Sequence, residues 1–298
     1  MELRVRYQSH FYYAAPVRNS HNVLRACPAE GEGQRLASYH LEINPLARVL
    51  SYIDAWGTRV DAFGVEEPHT ELSVVAESMA YTEPRPQPGV EVSLNEVRER
   101  TFAEDMWEFL QPTRHTRWSP ALAAAATDTL VGTETVQQAV AAMEALVRSR
   151  LDYRPGTTNI GIDVNQVFES GAGVCQDFVH LTLALLRAER IPARYVSGYF
   201  YTENSADGDA PEKDEIEVQT HAWVEVAIPG FGWWGVDPTN AQPAGERHLK
   251  IGHGRDYDDV LPLRGVYVGE VDHNLHAAVV MSVQPLSAVR FQQALIEQ

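Results

Sequence analysis

The chain is poor in cysteine and in positive charge. Only two cysteines, Cys27 and Cys175, occur in 298 residues. That is too few for a disulfide framework, and it leads us to expect a reducing, cytoplasmic setting. Lys and Arg total 24 against 41 Asp and Glu, a net charge of −17. A phosphate backbone or an anionic bilayer needs a basic face, so this balance argues against nucleic-acid and membrane partners. No apolar stretch approaches the ~20 residues of a membrane span. The opening Met1-Glu2-Leu3-Arg4-Val5-Arg6 has neither the apolar core nor the small-residue cleavage site expected of a secretory leader. Short paired spacings such as C-x-x-C or H-E-x-x-H are missing, which argues against a catalytic zinc. Gly171-Ala172-Gly173 is glycine-rich, but no Lys-Ser or Lys-Thr follows it as in a phosphate-binding loop. No metal or other cofactor is expected, and no internal repeat is visible.

What is present centres on Gly171-Ala172-Gly173-Val174-Cys175-Gln176-Asp177-Phe178. A glycine-rich turn runs into an apolar helix through Val179, Leu181, Leu183, Ala184, Leu185 and Leu186, with Cys175 at the junction. A thiol at a helix N-terminus sits beside unpaired N–H groups and the positive end of the macrodipole. Both favour thiolate over thiol, and the same N–H groups can receive an oxyanion. A lone cysteine is more often a small buried hydrophobe, so the rest of the chain decides. His221-Ala222-Trp223-Val224-Glu225-Val226 alternates as a strand. Gly232-Trp233-Trp234-Gly235-Val236-Asp237 forms a second, and Pro229-Gly230 makes the turn between them. Antiparallel pairing can bring His221 near Asp237. A thiol, an imidazole base and a carboxylate that orients it are the three parts of nucleophilic catalysis.

Four motifs in order, Gly173-Val174-Cys175-Gln176-Asp177-Phe178, Ile191-Pro192-Ala193-Arg194-Tyr195-Val196-Ser197-Gly198-Tyr199, His221-Ala222-Trp223 and Asp237-Pro238-Thr239-Asn240, resemble the bacterial transglutaminase-like superfamily. The resemblance spans about Thr133 to Asn240. It implies a papain-like α+β core, with Cys175 as nucleophile, His221 as base and Asp237 as its orienting partner. Tyr12-Tyr13-Ala14-Ala15-Pro16-Val17, Asn44-Pro45, Asp54-Ala55-Trp56-Gly57-Thr58-Arg59-Val60 and Pro68-His69-Thr70-Glu71-Leu72 resemble the N-terminal region found ahead of such domains. Gly57-Thr58 stands where that region usually has Gly-Asn. The implied reaction is acyl transfer through a thioester on a peptide or isopeptide-like amide of a peptide or protein substrate. Water as acceptor gives a peptidase or amidase, and this reading is favoured because the calcium apparatus of animal transglutaminases is missing. An amine acceptor gives a transglutaminase. A silent peptide-binding module is the remaining alternative.

The organisation follows from length and punctuation. Hydrophobic residues make up 44% of the chain, enough for two cores. Alternation in Leu3–Tyr7, Tyr39–Ile43 and Leu72–Ala76 predicts an N-terminal β-sandwich over 1–83. The proline-rich Glu83–Gly89 marks the boundary, and the catalytic domain spans 84–298. Leu94 to Leu110 reads as one amphipathic helix, and Ser119-Pro120 starts a short one. Thr133 is the expected cap of a helix carrying Val136, Val140, Met143, Val147 and Leu151. His276–Gln284 reads as an edge strand of the catalytic sheet.

Several other residues admit two readings. His180 is expected to be a core or supporting histidine. Asp177 suits the helix dipole and is expected to point away from the sulfur. Gln176, its neighbouring N–H and, by the resemblance, Tyr153 are candidates for the oxyanion. Trp223, Trp233 and Trp234 read as packing residues rather than a substrate platform. His253, Arg255 and Asp256 either line the cleft or form a surface ion-pair cluster. The acidic loop 203–215 is a solvated loop, a rim for cationic substrates or a divalent-cation site.

Overall fold

The computed structural model describes residues 1–31, 33–155, 162–202 and 215–284. Five strands lead: β1 (Glu2–Leu24), β2 (Gln34–Asn44), β3 (Val49–Ile53), β4 (Arg59–Val65) and β5 (His69–Thr82). Helices α1 (Leu94–Arg98), α2 (Arg100–Asp105), α3 (Pro120–Thr129) and α4 (Val136–Arg150) follow. The site region holds β6 (Asp152–Tyr153), α5 (Val164–Ser170), β7 (Ala172–Gly173), α6 (Cys175–Ala188), β8 (Ala193–Phe200), β9 (Glu215–Val218), β10 (Thr220–Ile228) and β11 (Gly232–Asp237). β12 (Gln242–Pro243), β13 (His248–Gly254), β14 (Leu263–Val268) and β15 (His273–Gln284) complete the order.

The α+β class expected from the sequence is observed. Helix α6 packs on a five-stranded antiparallel sheet of order β12-β11-β10-β8-β13. It buries Phe178, Val179, Leu181, Leu183, Leu185 and Leu186 against Val224, Val226 and Ile228 of β10 and against α4. Each such side chain withdrawn from water is worth roughly 1.5–3 kcal/mol. From Asp177 to Arg187 every residue of α6 is buried, including the polar His180, Thr182 and Arg187, and α6 is the spine of this half.

The N-terminal layer is one eight-stranded sheet that curls on itself. The first half of β1 pairs with β5 and β15, and its second half pairs with β4 and β14. The register breaks between Tyr12 and Val17 in the ladder to β5. The two faces of the expected sandwich are thus joined through one long bent strand around Leu3, Val5, Val17, Leu24, Phe63, Leu72 and Val74. β15 was expected on the catalytic sheet. It pairs instead with β1, from Glu2↔Gln284 to Tyr13↔His273, because its apolar face completes this N-terminal core through Val279 and Met281.

Two helix expectations need correction. The segment 94–110 is broken at Glu99, whose backbone is extended, into α1, α2 and a 3-10 turn at Trp107–Leu110. Arg98 donates to the carbonyl and carboxylate of Glu189 and ties the first turn to the end of α6. The cap of α4 is Thr135, whose hydroxyl accepts the Gln138 N–H, while Thr133 donates to the Leu130 carbonyl. Ser119 caps α3 as expected.

The five-stranded sheet is covered on both faces. Tyr199 of β8 and Leu249 and Ile251 of β13 belong to the N-terminal core. At this junction Glu225 is 2% exposed. It accepts from Arg194 Nε at 2.6 Å and Lys250 Nζ at 2.9 Å, and Arg85 lies 3.7 Å away. Burial would raise the Glu225 carboxyl pKa, but Lys250, Arg194 and Arg85 hold it below the usual range. Gln34 of β2 joins the same cluster by accepting from Lys250 N–H and Arg85 and donating to the Lys250 carbonyl.

Removing one partner from a buried ionic cluster typically costs about 3–5 kcal/mol. Glu225→Ala is therefore expected to lower the urea midpoint by an amount of that order. Because the folded-state pKa is lowered, the stabilisation is complete above the ordinary glutamate range of about 4.3. It is lost as pH falls through the depressed value. Unfolding curves for the variant that match wild type at neutral pH would contradict this role.

Candidate active site

Local chain geometry presents the thiol. α5 ends at Gly171 in the left-handed region, φ 70°, with its N–H on the Val167 carbonyl. β7 then runs parallel to β6 for two residues, Asp152↔Ala172 and Tyr153↔Gly173. Val174 is extended and α6 begins at Cys175. Asp177 reaches back so that its Oδ2 accepts the Val174 N–H at 2.8 Å. A Cβ on Gly173 would lie 2.7 Å from the Asp177 Cβ, so glycine is required for the carboxylate to close over the turn. Asp177 thus closes the turn by accepting from its backbone. The amides of Cys175 and Gln176, in the first turn of α6, have no acceptor within the helix.

Sheet register brings His221 and Asp237 together. β10 and β11 pair from Val224↔Val236 to Ile228↔Gly232. Extending the register by one sets Asp237 opposite Trp223, so His221, two residues along, is its diagonal neighbour on one face. His221 Nε2 lies 2.8 Å from Asp237 Oδ2. Nδ1 is thereby left for the thiol, and Cys175 Sγ sits 3.9 Å from the Thr220 carbonyl. On the other side His221 pairs with Gly198 of β8. A Cβ there would lie 2.2 Å from the Leu249 carbonyl and 2.7 Å from the Trp223 ring.

Burial works against charge on His221, but hydrogen bonds to Asp237 and Cys175 outweigh it and raise the imidazole to about 9. Burial would raise Asp237, and its bonds to His221 and His248 hold it well below the usual carboxylate range. The site therefore stores an imidazolium on an ionised carboxylate beside the thiol. Asp237 Oδ1 accepts the N–H groups of Thr239 and Asn240, and Oδ2 also accepts from Asn240 Nδ2 at 2.7 Å.

Cys175 and His221 open onto a cleft of about 290 Å³ lined also by Tyr153, Gln176, Tyr195 and Tyr257. A larger concavity of about 760 Å³ lies on the outer face of the N-terminal sheet, lined by Arg4, Arg6, His40 and Glu77. Its lining includes serines but no cysteine, and the smaller cleft, which holds both Cys175 and His221, is the candidate site. Burial and the neighbouring thiol push the phenols of Tyr195 and Tyr153 above their usual range, and burial does the same for Tyr257. All three remain protonated donors at neutral pH.

The other sequence candidates fall into place. His180 is buried, stacks 5.0 Å from His115 and accepts the Tyr257 N–H at 3.3 Å, a supporting role. Trp223 is fully buried. Trp233 stacks under Arg194 at 3.9 Å and meets Phe109 edge-on, and Trp234 donates to Gln87; these are packing roles. Arg255 pairs with Asp259, and the Asp256 side chain accepts the Asp258 N–H. Burial, Arg194 and Lys250 push His253 down to about 3. None of these three lines the cleft; their neighbour Tyr257 does. The acidic loop lies outside the described residues up to position 214.

Two residues to which the sequence reading gave no role complete the site. His248, at the start of β13, places Nε2 3.1 Å from Asp237 Oδ2, and Asn240 contributes the contacts above. The atoms of His221, Asp237 and His248 converge as metal ligands would. Asp237, however, already accepts hydrogen bonds on both oxygens. His115, Asp256 and Asp258 also approach one another, but Arg187, fully buried and sensing Asp256, already supplies positive charge there.

The chain matches the transglutaminase-like superfamily over residues 123–238 and the bacterial transglutaminase-like N-terminal region over residues 3–80. It is 37% identical over 277 residues to an uncharacterized protein of Mycobacterium leprae, covering 93% of this chain and 97% of that one. Over 85 residues it is 38% identical to a protein-glutamine gamma-glutamyltransferase of Pseudomonas aeruginosa, covering 28% of this chain and 12% of the enzyme. A crystal structure of a Cytophaga hutchinsonii protein, provisionally assigned as a cysteine protease, shares the fold. Its TM-score is 0.73 at 23% identity, covering 96% of this chain and 92% of that one.

The two cysteines differ sharply in setting. Cys27 is 3% exposed, and burial pushes its thiol up to about 11. A limiting alkylator near pH 7 is therefore expected to label Cys175 at least ~100-fold faster than Cys27, read by peptide mass spectrometry. Comparable labelling would show that the thiol is not activated. Gly173→Ala should slow that labelling and cost about 1–3 kcal/mol, because the added methyl displaces Asp177.

Proposed function

The chain belongs to the transglutaminase-like superfamily, and from that premise we propose that it hydrolyses a peptide or isopeptide-like amide through Cys175, His221 and Asp237. One observation carries the reading: a helix-start cysteine and a carboxylate-bound histidine face each other in a single open cleft. The thiolate of Cys175 attacks the amide carbonyl, forming the C–S bond and an oxyanion. The Cys175 and Gln176 amides, with the protonated phenols nearby, supply donors for that charge. His221 gives its proton to the amine nitrogen, the C–N bond breaks, and a thioester remains. Now neutral, His221 takes a proton from water, hydroxide adds to the thioester, and the carboxylic acid leaves as the C–S bond breaks, restoring the Cys175 thiolate beside the His221 imidazolium. Asp237 keeps the imidazole on one tautomer throughout.

Water is favoured over an amine because an ammonium acceptor needs an anionic site, and among the described residues no carboxylate lines the cleft. His221 brings positive charge to the same place. The amine reading is kept alive by the partial identity to the Pseudomonas aeruginosa gamma-glutamyltransferase, and a peptide-binding module without chemistry is the third outcome.

The deciding experiment incubates the protein with a peptide-amide library, with and without a primary amine, and reads products by mass. Hydrolysed peptides in both arms support the proposal, amine adducts support the transferase, and no turnover supports the binding module. Cys175→Ala is expected to lose turnover by more than ~1000-fold with the unfolding midpoint nearly unchanged. Equal activity in the variant would remove Cys175 from the chemistry.

A further inference from the structure

We infer that His248 is a positioning residue of this site: it donates a neutral Nε2–H to Asp237 Oδ2 and fixes the carboxylate on His221. The inference rests on the acyl-transfer reading above, in which Asp237 orients the base.

The tautomer follows from two hydrogen bonds. The Gly245 N–H donates to His248 Nδ1 at 3.1 Å. A ring nitrogen that accepts carries no proton, so the proton of a neutral ring is on Nε2. That atom is the one 3.1 Å from Asp237 Oδ2. The ring is 1% exposed, lies 4.5 Å from Phe200 and meets Trp223 edge-on at 5.2 Å. It has no room to turn and present the other nitrogen.

The surrounding charges keep it neutral. The groups that face it are Asp237 from β11, His221 from β10, 6.0 Å between ring centres, and Arg85 from the linker. Arg85 donates to the His248 carbonyl at 3.1 Å. Glu144 of α4 senses Asp237 in turn: burial and that carboxylate raise its own carboxyl to about 7. Burial lowers the His248 pKa, Asp237 opposes this, and His221 and Arg85 add to the lowering, so the balance is downward. A charged His248 would compete with His221 for one carboxylate. A neutral one adds a hydrogen bond and leaves the charge of Asp237 to His221.

β-sheet pairing delivers it. His248 pairs with Phe200 at the end of β8, and β8 lies between β10 and β13. The donor therefore comes from a strand that is not adjacent to His221, and it locks Asp237 from the far side.

The test combines histidine nitrogen NMR of the wild-type chain with two variants, His248→Gln, which keeps a donor near the Nε2 position, and His248→Leu, which fills the space without one. In wild type, His248 should be protonated on Nε2 and should titrate below the ordinary histidine value of about 6.5. Protonation on Nδ1, or titration at or above that value, overturns the inference even if Cys175 is fully reactive. Alkylation of Cys175 at about pH 6 should be about tenfold slower in the Leu variant and within about threefold of wild type in the Gln variant. Wild-type rates in the Leu variant, or equal losses in both, would reduce His248 to packing and leave Cys175 as nucleophile. A wild-type Cys175 that reacts no faster than free cysteine removes the acyl-transfer reading, and the inference with it.

Discussion

Glu225 sets the frame on which the site depends. A carboxylate 2% exposed survives only if its desolvation is offset by close cations, and here those cations come from three parts of the chain. Arg194 belongs to β8, Lys250 to β13 and Arg85 to the linker. One buried anion thus pins the two strands that flank the N-terminal core and draws the linker across them. Gln34 carries the same network into β2. Lys250 is two residues from His248, and Arg85 bonds the His248 carbonyl. The cluster that joins the two halves therefore also fixes the start of β13, where a histidine meets Asp237.

A second constraint acts at Asp237. Its two oxygens accept from His221, His248, the Asn240 side chain and the backbone N–H groups of Thr239 and Asn240. Fully hydrogen-bonded buried networks fix one arrangement, whereas partly satisfied ones do not. Asp237 cannot rotate without breaking several bonds at once, so His221 is held in one plane with Nδ1 toward the cleft. Fixed dipoles and a fixed counter-ion of this kind need no reorganisation when charge develops during reaction.

Local features were legible in the sequence because they are encoded locally. The glycine turn before Cys175, the hairpin of β10 and β11 and the Ser119 cap each follow from neighbouring residues. What sequence hid was set by pairing across long separations. Neighbouring residues gave His248 no role; it reaches Asp237 through the pairing of β13 with β8. Glu225 sits at a polar position of an alternating strand, which reads as a solvent-facing residue. It is buried because the N-terminal core covers the second face of that sheet. β15 carries an ordinary alternating pattern, and its partner is chosen by the open edge of β1 at the opposite end of the chain. The break at Glu99 depends on Arg98 reaching Glu189, 91 positions away.

Three histidines in and around the cleft show how position decides chemistry. His180 is surrounded by His115, Tyr195 and the Tyr257 amide. Burial and its cationic neighbours drive its pKa far down, and it is a packed acceptor. His248 touches Asp237, yet its other nitrogen is occupied by the Gly245 amide and His221 stands nearby, so it stays neutral. His221 shares Asp237 too, but its second nitrogen meets a thiol, a group that can give up a proton and become the complementary anion. One carboxylate can stabilise one imidazolium well. That charge falls to the ring whose free nitrogen faces the cleft, His221, whereas burial and cationic neighbours push the rings at 180 and 248 the other way.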